Sequence, residues 1–352
     1  MIAIHELGHF IAARACKVKI NEFAIGMGPK IFSKKSKKSG TAYSLRVFPI
    51  GGYVSMEGEN EASDKDGSFS SKPAWQKLII SCAGPIMNIV LGFILTFFLV
   101  IGLQDANGII LTSNTVGEFN ENSVSSESGL MIDDTIVKVG DIFVHTGTEL
   151  VYEISMQGYE AQEIYKIIDG DKIYYKVVLL DLTVIRNGET LVLNDVMFLA
   201  DTSSGITTMG TPDFKVYRES ADGFTVLKHT FFRSISSVKM IWDNLVALFT
   251  GRFGIEAMSG PIGTTEAIVT VAQDGWYSLL YFITIITMNL GVFNLIPILP
   301  LDGGHNLFHF YELIVQKPVP KKIEAALQIF GVILMFGLII IVSIKDIIGL
   351  FS

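Results

Sequence analysis

His5-Glu6-Leu7-Gly8-His9 sets two imidazoles four residues apart, with a carboxylate beside the first. On a helix, positions i and i+4 share a face, so both rings can grip one metal ion. Glu6 then stands where it can take a proton from an attacking water. Met1 to Ala13 is apolar apart from His5, Glu6 and His9, and ionisable groups in an apolar segment need a partner. A divalent cation is the natural one; the competing reading is a chance pentapeptide on an ordinary helix. Zinc takes a third protein ligand and keeps a fourth position open. The candidate is Asp302, in Asn294-Leu-Ile-Pro-Ile-Leu-Pro-Leu-Asp-Gly-Gly304, where Pro297 and Pro300 break the helix. Irregular backbone at membrane depth is tolerated only inside protein or beside water. A broken helix that delivers a carboxylate into a buried wet cavity meets that condition. Taken alone, Asp302 would read as an interfacial acid at a helix end.

The elements that must position these groups follow from composition. Of 352 residues, 18% are charged and 49% hydrophobic, and mean hydropathy is +0.46. Soluble domains run at about 25% charged. Disorder is excluded as the main state, and two cysteines exclude a disulfide scaffold. A net charge of −8 argues against nucleic acid as a partner. Uncharged runs at Leu78–Leu103, Trp276–Leu301 and Ala325–Ile344 reach the roughly 20 apolar residues that a bilayer requires. Met1–Ala13 is shorter, about 20 Å as a helix, and reads as the second half of a spanning helix or a segment that enters partway. It lacks the basic n-region and cleavage site of a signal peptide.

Charge orients these runs. Arg14 to Arg46 holds nine basic residues against one acid, Glu22, whereas Gln104 to Asp222 holds 20 acids against 7 bases. Lys317, Lys321 and Lys322 follow the second long run. The positive-inside rule places the first loop in the cytoplasm and the acidic middle outside. Tyr43–Phe48 alternates, Gly51-Gly52 bends and Tyr53–Met56 resumes, which reads as a β-hairpin; Glu57–Asp66 reads as a loose linker. The middle, 107–213, reads as a soluble α+β domain with strands at Thr135–Val139 and Leu182–Leu193. The latter is a hairpin turned at Asn187-Gly188. Gly205–Pro212 reads as linker. Residues 223–250 read as an amphipathic helix on the outer membrane face, with packing against the middle domain as the alternative.

These residues together resemble the site-2 protease family of intramembrane zinc metalloproteases, the bacterial type with a single PDZ domain. The resemblance spans nearly the whole chain. It rests on HExxH at His5–His9 and on N-x-x-P-x-x-x-L-D-G at Asn294, Pro297, Leu301, Asp302 and Gly303. It adds Gly26-Met27-Gly28-Pro29 in the first loop, and G-P-x-x-N at Gly84, Pro85 and Asn88. The fold it implies is a polytopic α-helical membrane protein. About four transmembrane helices, the first truncated, carry a membrane-associated β-hairpin and an inserted extracytoplasmic PDZ-like α+β domain. The domains are then 1–103 and 276–352 for the catalytic membrane part, 107–213 for the PDZ-like domain and 223–250 for the interfacial helix.

The resemblance implies zinc (Zn2+) held by His5, His9 and Asp302, with Glu6 as general base and acid. The region of Gly51 and Gly52 would present an edge to an unwound substrate helix. Asn289 and Asn294 match positions tied to substrate handling, with interhelical hydrogen bonding as an equal alternative. Implied substrates are single-pass membrane proteins first shortened outside by another protease, such as anti-sigma factors and remnant signal peptides. The enzyme would sit in the cell membrane with its site towards the cytoplasm. Asn122–Asp134 resembles a PDZ stretch without its proline, and Gly147–Gln162 looks insertion-like. His305 and His309 follow Asp302 at i+3 and i+7; His305 reads as interfacial polar packing, with support of a metal ligand as the alternative. The alternative function is a catalytically inactive membrane scaffold that binds clients through the PDZ-like domain.

Overall fold

The computed structural model describes residues 1–59, 65–106, 108–121, 123–157, 161–168, 171–201, 209–251 and 260–349. In chain order its first elements are α1 (Ile2–Ala15), β1 (Ile20–Lys35), β2 (Ala42–Met56) and α2 (Ala74–Gly102). Then come the short β3 (Gln104–Asp105) and β4 (Gly108–Ile109), β5 (Thr112–Phe119), β6 (Thr135–Val139), β7 (Ile142–Phe143) and α3 (Gly147–Gln157). They continue with β8 (Ala161–Ile168), β9 (Asp171–Arg186), β10 (Glu189–Asp201), β11 (Met209–Thr211), β12 (Phe214–Arg218) and α4 (Gly223–Phe249). Last are α5 (Pro261–Gln273), α6 (Trp276–Phe293), α7 (Asp302–Val315) and α8 (Lys321–Gly349). The chain divides into two units, Met1–Leu95 with Ser259–Ser352, and Thr96–Met258.

Among the described residues three helices are long and apolar enough to cross a membrane: Ala74–Gly102, Trp276–Phe293 and Lys321–Ile348. Helix α8 turns Ile329, Phe330, Ile333, Phe336, Ile340 and Ile348 outward, each more than half exposed. A helix apolar on its outer surface suits lipid rather than water. Helix α1 has 14 residues. The run Trp276–Leu301 is not one helix: α6 stops at Phe293 and α7 starts at Asp302. Pro297 and Pro300 lack the N–H that a helix interior needs. The segment between them turns back, with Gly303 N–H donating to Asn294 O at 2.7 Å. Gly331 of α8 makes room for it, since a Cβ there would meet Leu299 O at 2.1 Å.

The first loop forms a sheet, but not with the expected pairing. Tyr43–Leu45 and Gly52–Val54 do not pair with each other. Residues 22–25 of β1 lie between them, with Phe23 opposite both Tyr43 and Val54. Arg46, Phe32 and Lys30–Lys35 extend the same sheet. Its backbone turns at Gly26 and Gly51, with φ +87° and +83°, a region that glycine enters without strain. Glu22 sits among the strands. Burial alone would raise its carboxyl, but hydrogen bonds from Ser44, Lys30, Tyr53 and Arg46 outweigh that and pull it down to about 2. Val18, Ile20, Val54 and Met56 pack with Ala13 of α1 and Ile80 of α2 in one core, so the sheet is fixed to the helix that carries the histidines. Part of the expected linker Glu57–Asp66, residues 60–64, lies outside the described residues.

The second unit is an antiparallel sheet in the order β11-β10-β9-β6-β5-β12, with β7 on β6 and β8 on β9. The β9–β10 hairpin turns at Asn187-Gly188, both at positive φ, as such a pair favours. Helix α3 closes one face: Leu150 and Ile154 are fully buried with Ile136, Val139, Leu182, Val184 and Phe198. The sheet runs past Asp213, because Phe214–Arg218 pairs with β5. Met209–Thr211, expected as linker, is a strand on β10; residues 205–208 of that stretch, like Asn107, Asn122 and 158–160, lie outside the described residues. Asp213 Oδ2 accepts from Val124 N–H at 2.6 Å and Ser125 N–H at 3.0 Å, which holds the Ser123–Ser128 loop.

Asp134, fully buried, takes both arms of Arg186 at 2.7 Å. Replacing Arg186 by Met should cost about 2 kcal/mol, the scale of charge-assisted hydrogen bonds lost from a buried carboxylate. The readout is the denaturant midpoint of the sheet unit; an unmoved midpoint would show that water replaces the guanidinium.

Candidate metal centre

The HExxH segment is helical, and α1 presents His5 and His9 on the face that meets α2. The approach is close because both helices carry glycine there. A Cβ on Gly8 would lie 2.3 Å from Ala83 O, and one on Gly84 would lie 2.3 Å from His9 Nε2. Helix α7 brings Asp302 in from the far end of the chain. Buried Lys77 of α2 and Glu312 of α7, 235 residues apart in sequence, pair at 2.9 and 3.0 Å and hold α7 in register beside α2.

Three ligand atoms converge. His5 Nε2 and His9 Nε2 are 3.2 Å apart, and Asp302 Oδ2 lies 3.0 Å from the first and 3.4 Å from the second. Ligand atoms at about 2.0–2.1 Å around a tetrahedral zinc stand about 3.3 Å from one another, so the triangle has the size of one face of that tetrahedron. His9 Nδ1 lies 2.7 Å from Ile80 O. A carbonyl only accepts, so Nδ1 carries the proton and the neutral ring turns the Nε2 lone pair inward. Asp302 Oδ2 is buried and, among the described residues, meets no donor in hydrogen-bonding geometry. Its short distances to the rings therefore read as converging lone pairs rather than as an ion pair. Electron pairs gathered at this spacing away from water call for a cation. Two imidazoles and one carboxylate suit zinc, and a fourth direction stays free for water or substrate.

His5, Glu6, His9 and Asp302 line one cavity of about 760 Å³, together with Tyr53, Val54, Met56 and Glu59 from the first loop. The Val54 backbone N–H donates to the Glu6 carboxylate. Gly52 lies against the same side chain, where a Cβ would stand 3.0 Å from Glu6 Cγ. The sheet thus passes directly beside Glu6. Gly51 packs on Met27, whose side chain a Cβ would meet at 2.7 Å. Asn289 and Asn294 are not among the residues lining the cavity; Asn294 acts through its backbone carbonyl, which anchors the start of α7. His305 and His309 do line it, with His309 edge-on to Phe69 at 5.7 Å.

The G-P-x-x-N motif alone gives Gly84 and Asn88 no task, and no motif marks Lys77 and Glu312. Their spacing was the available signal, because 80, 84 and 88 fall on one face of a helix. Gly84→Ala places a methyl in the space of the His9 ring. It should lower bound zinc well below one per chain, read by elemental analysis of the purified protein; full occupancy would mean that the two helices separate at no cost to the ligand set.

Residues 1–338 match the family described as Peptidase family M50. The chain is 32% identical, over 99% of its length and 94% of the relative's, to a Clostridium acetobutylicum protein provisionally named a zinc metalloprotease. It is 28% identical over its whole length to the zinc metalloprotease RasP of Shouchella clausii, 97% of which is covered. It is also 28% identical over its whole length to the regulator of sigma-W protease RasP of Bacillus subtilis, 96% of which is covered. With an HExxH helix, a distant aspartate at its histidines and three apolar helices, the chain belongs to peptidase family M50, the site-2 protease type of zinc-dependent metalloprotease.

Proposed function

We propose that the protein hydrolyses peptide bonds within transmembrane segments of single-pass membrane proteins. The observation that carries this is the triangle of His5 Nε2, His9 Nε2 and Asp302 Oδ2, with edges of 3.0–3.4 Å, set among helices fit to span a bilayer. His5, His9 and Asp302 would hold zinc, which polarises a scissile carbonyl and makes a neighbouring water more acidic. Glu6 takes a proton from the attacking water as its oxygen bonds to the carbonyl carbon. Glu6 then delivers that proton to the leaving nitrogen as the C–N bond breaks. The edge at Gly52–Val54 beside Glu6 can pair with an extended substrate backbone. A helix must open before its peptide bonds are reachable, and strand addition holds it open.

The charge distribution supports a site towards the cytoplasm and the Thr96–Met258 unit outside. That unit, a sheet closed by one helix, supports the PDZ-like reading. Helix α4 supports the interfacial one. Phe224, Leu227, Phe231, Ile235, Trp242, Val246 and Phe249 form one exposed stripe. Its polar flank instead docks on α3, through Ser236 with Glu149 at 3.1 Å and Lys239 with Glu153 at 2.9 Å. An apolar stripe left outward beside a membrane fits the lipid boundary.

The name of the Bacillus subtilis relative, a regulator of sigma-W protease, makes anti-sigma-type membrane proteins the first substrates to try, with remnant signal peptides next. The test is cleavage of a co-reconstituted single-pass protein, intact or with its external domain already removed by another protease. The shortened form should be cut inside its apolar segment. Absence of any cut in either form would overturn the reading, and equal cutting would remove the pre-cleavage step.

A further inference from the structure

We propose that Asn88 is the positioning residue for His5: its side-chain oxygen takes the Nδ1 proton and thereby turns the Nε2 lone pair toward His9 and Asp302. This rests on the zinc-site reading above. Asn88 is fully buried in α2. Its Nδ2 is placed 3.3 Å from His5 Nδ1, and its Oδ1 is buried without a hydrogen-bond partner among the described residues. The oxygen and nitrogen of an amide occupy nearly interchangeable places, and the two orientations have opposite consequences. With Nδ2 against the ring, Nδ1 must accept. The proton of the neutral ring then sits on Nε2 and points into the triangle, while Oδ1 stays orphaned. With the amide turned over, Oδ1 meets the Nδ1 proton at the same 3.3 Å, and Nε2 offers the lone pair that a ligand needs.

His9 obeys the same rule, because its Nδ1 donates to Ile80 O at 2.7 Å. Ile80, Gly84 and Asn88 follow one another at four-residue steps on α2. They present an acceptor, a space and an acceptor to the two rings of α1. One face of α2 therefore sets the tautomer of both histidines and leaves room for the His9 ring. The competing role is a plain interhelical tether, and the two roles separate by experiment.

The full chain, purified in detergent, is titrated with zinc against a competing chelator, as wild type, Asn88→Leu and Asn88→Asp. The positioning role predicts that Asn88→Leu, of similar size but without an acceptor, weakens zinc affinity by about 10–100-fold. Asn88→Asp keeps an acceptor in place and retains or strengthens it. Thermal melting of the metal-free Leu variant should stay close to wild type, since without zinc the His5 ring can carry its proton on Nε2 and donate it to Asp302 Oδ2, 3.0 Å away. Wild-type affinity in Asn88→Leu, or equal weakening in Leu and Asp, overturns the proposal while leaving the site itself intact. A metal-free Leu variant that melts well below wild type with no greater loss in affinity than Asp supports the tether instead. Wild-type protein that binds no zinc at all overturns both the site and the role of Asn88.

Discussion

Glu6→Gln should abolish peptide hydrolysis while leaving zinc in place. Glu6 adjoins His5 on α1 and lines the same cavity, but it is not one of the three converging ligand groups. Its carboxylate is steadied by the Val54 N–H and lies against Gly52. Glutamine has the same shape, and its carbonyl can still accept from Val54. What it cannot do is carry a proton from water to the leaving nitrogen. General acid–base groups contribute about 10²–10⁴ in rate, so turnover of a membrane substrate should fall at least that far, with metal content unchanged. Measured cleavage at the wild-type rate would take Glu6 out of the reaction. Loss of metal together with activity would mean that Glu6 supports the ligands rather than the chemistry.

The second large effect is on the metal. Asp302→Asn preserves the size of the side chain but removes its charge and one strong donor atom. Two neutral imidazoles alone hold zinc poorly, because structural and catalytic zinc sites use at least three protein ligands. Changes to groups that merely orient ligands weaken metal binding by about 10–100-fold, and removing a ligand should exceed that. Bound zinc should fall from one per chain to a small fraction after dialysis. The fold should survive, since α7 is held elsewhere by Lys77–Glu312. Unchanged zinc stoichiometry would strike Asp302 from the ligand set.

The two halves of this site differ in how far the sequence discloses them. His5, Glu6 and His9 are legible because their relation is local, fixed by the pitch of one helix. Asp302 is legible only beside His5 and His9, because alone an acid after a proline-broken apolar run reads as a helix-end group. Asn88 is not, because its partner is chosen by the packing of α1 on α2, for which Gly8 and Gly84 are the only hints. Strand alternation in the first loop marks faces but not partners. Hence Tyr43–Phe48 and Tyr53–Met56 read as a pair although Phe23 lies between them. The middle unit reads as ending at Asp213 for a similar reason. Strand β12 finds its partner β5 about a hundred residues upstream, and nothing in Phe214–Arg218 announces a pairing so distant.

The central claim is that two rings from α1 and one carboxylate from α7 bind a single zinc ion. X-ray absorption at the zinc edge of the purified full chain addresses it directly. The expected first shell holds nitrogen and oxygen alone, with the multiple-scattering signature of two imidazoles, and the zinc signal should largely disappear in dialysed Asp302→Asn. A sulfur neighbour at about 2.3 Å, which could come only from Cys16 or Cys82, or a shell unchanged when Asp302 is replaced, would contradict the account.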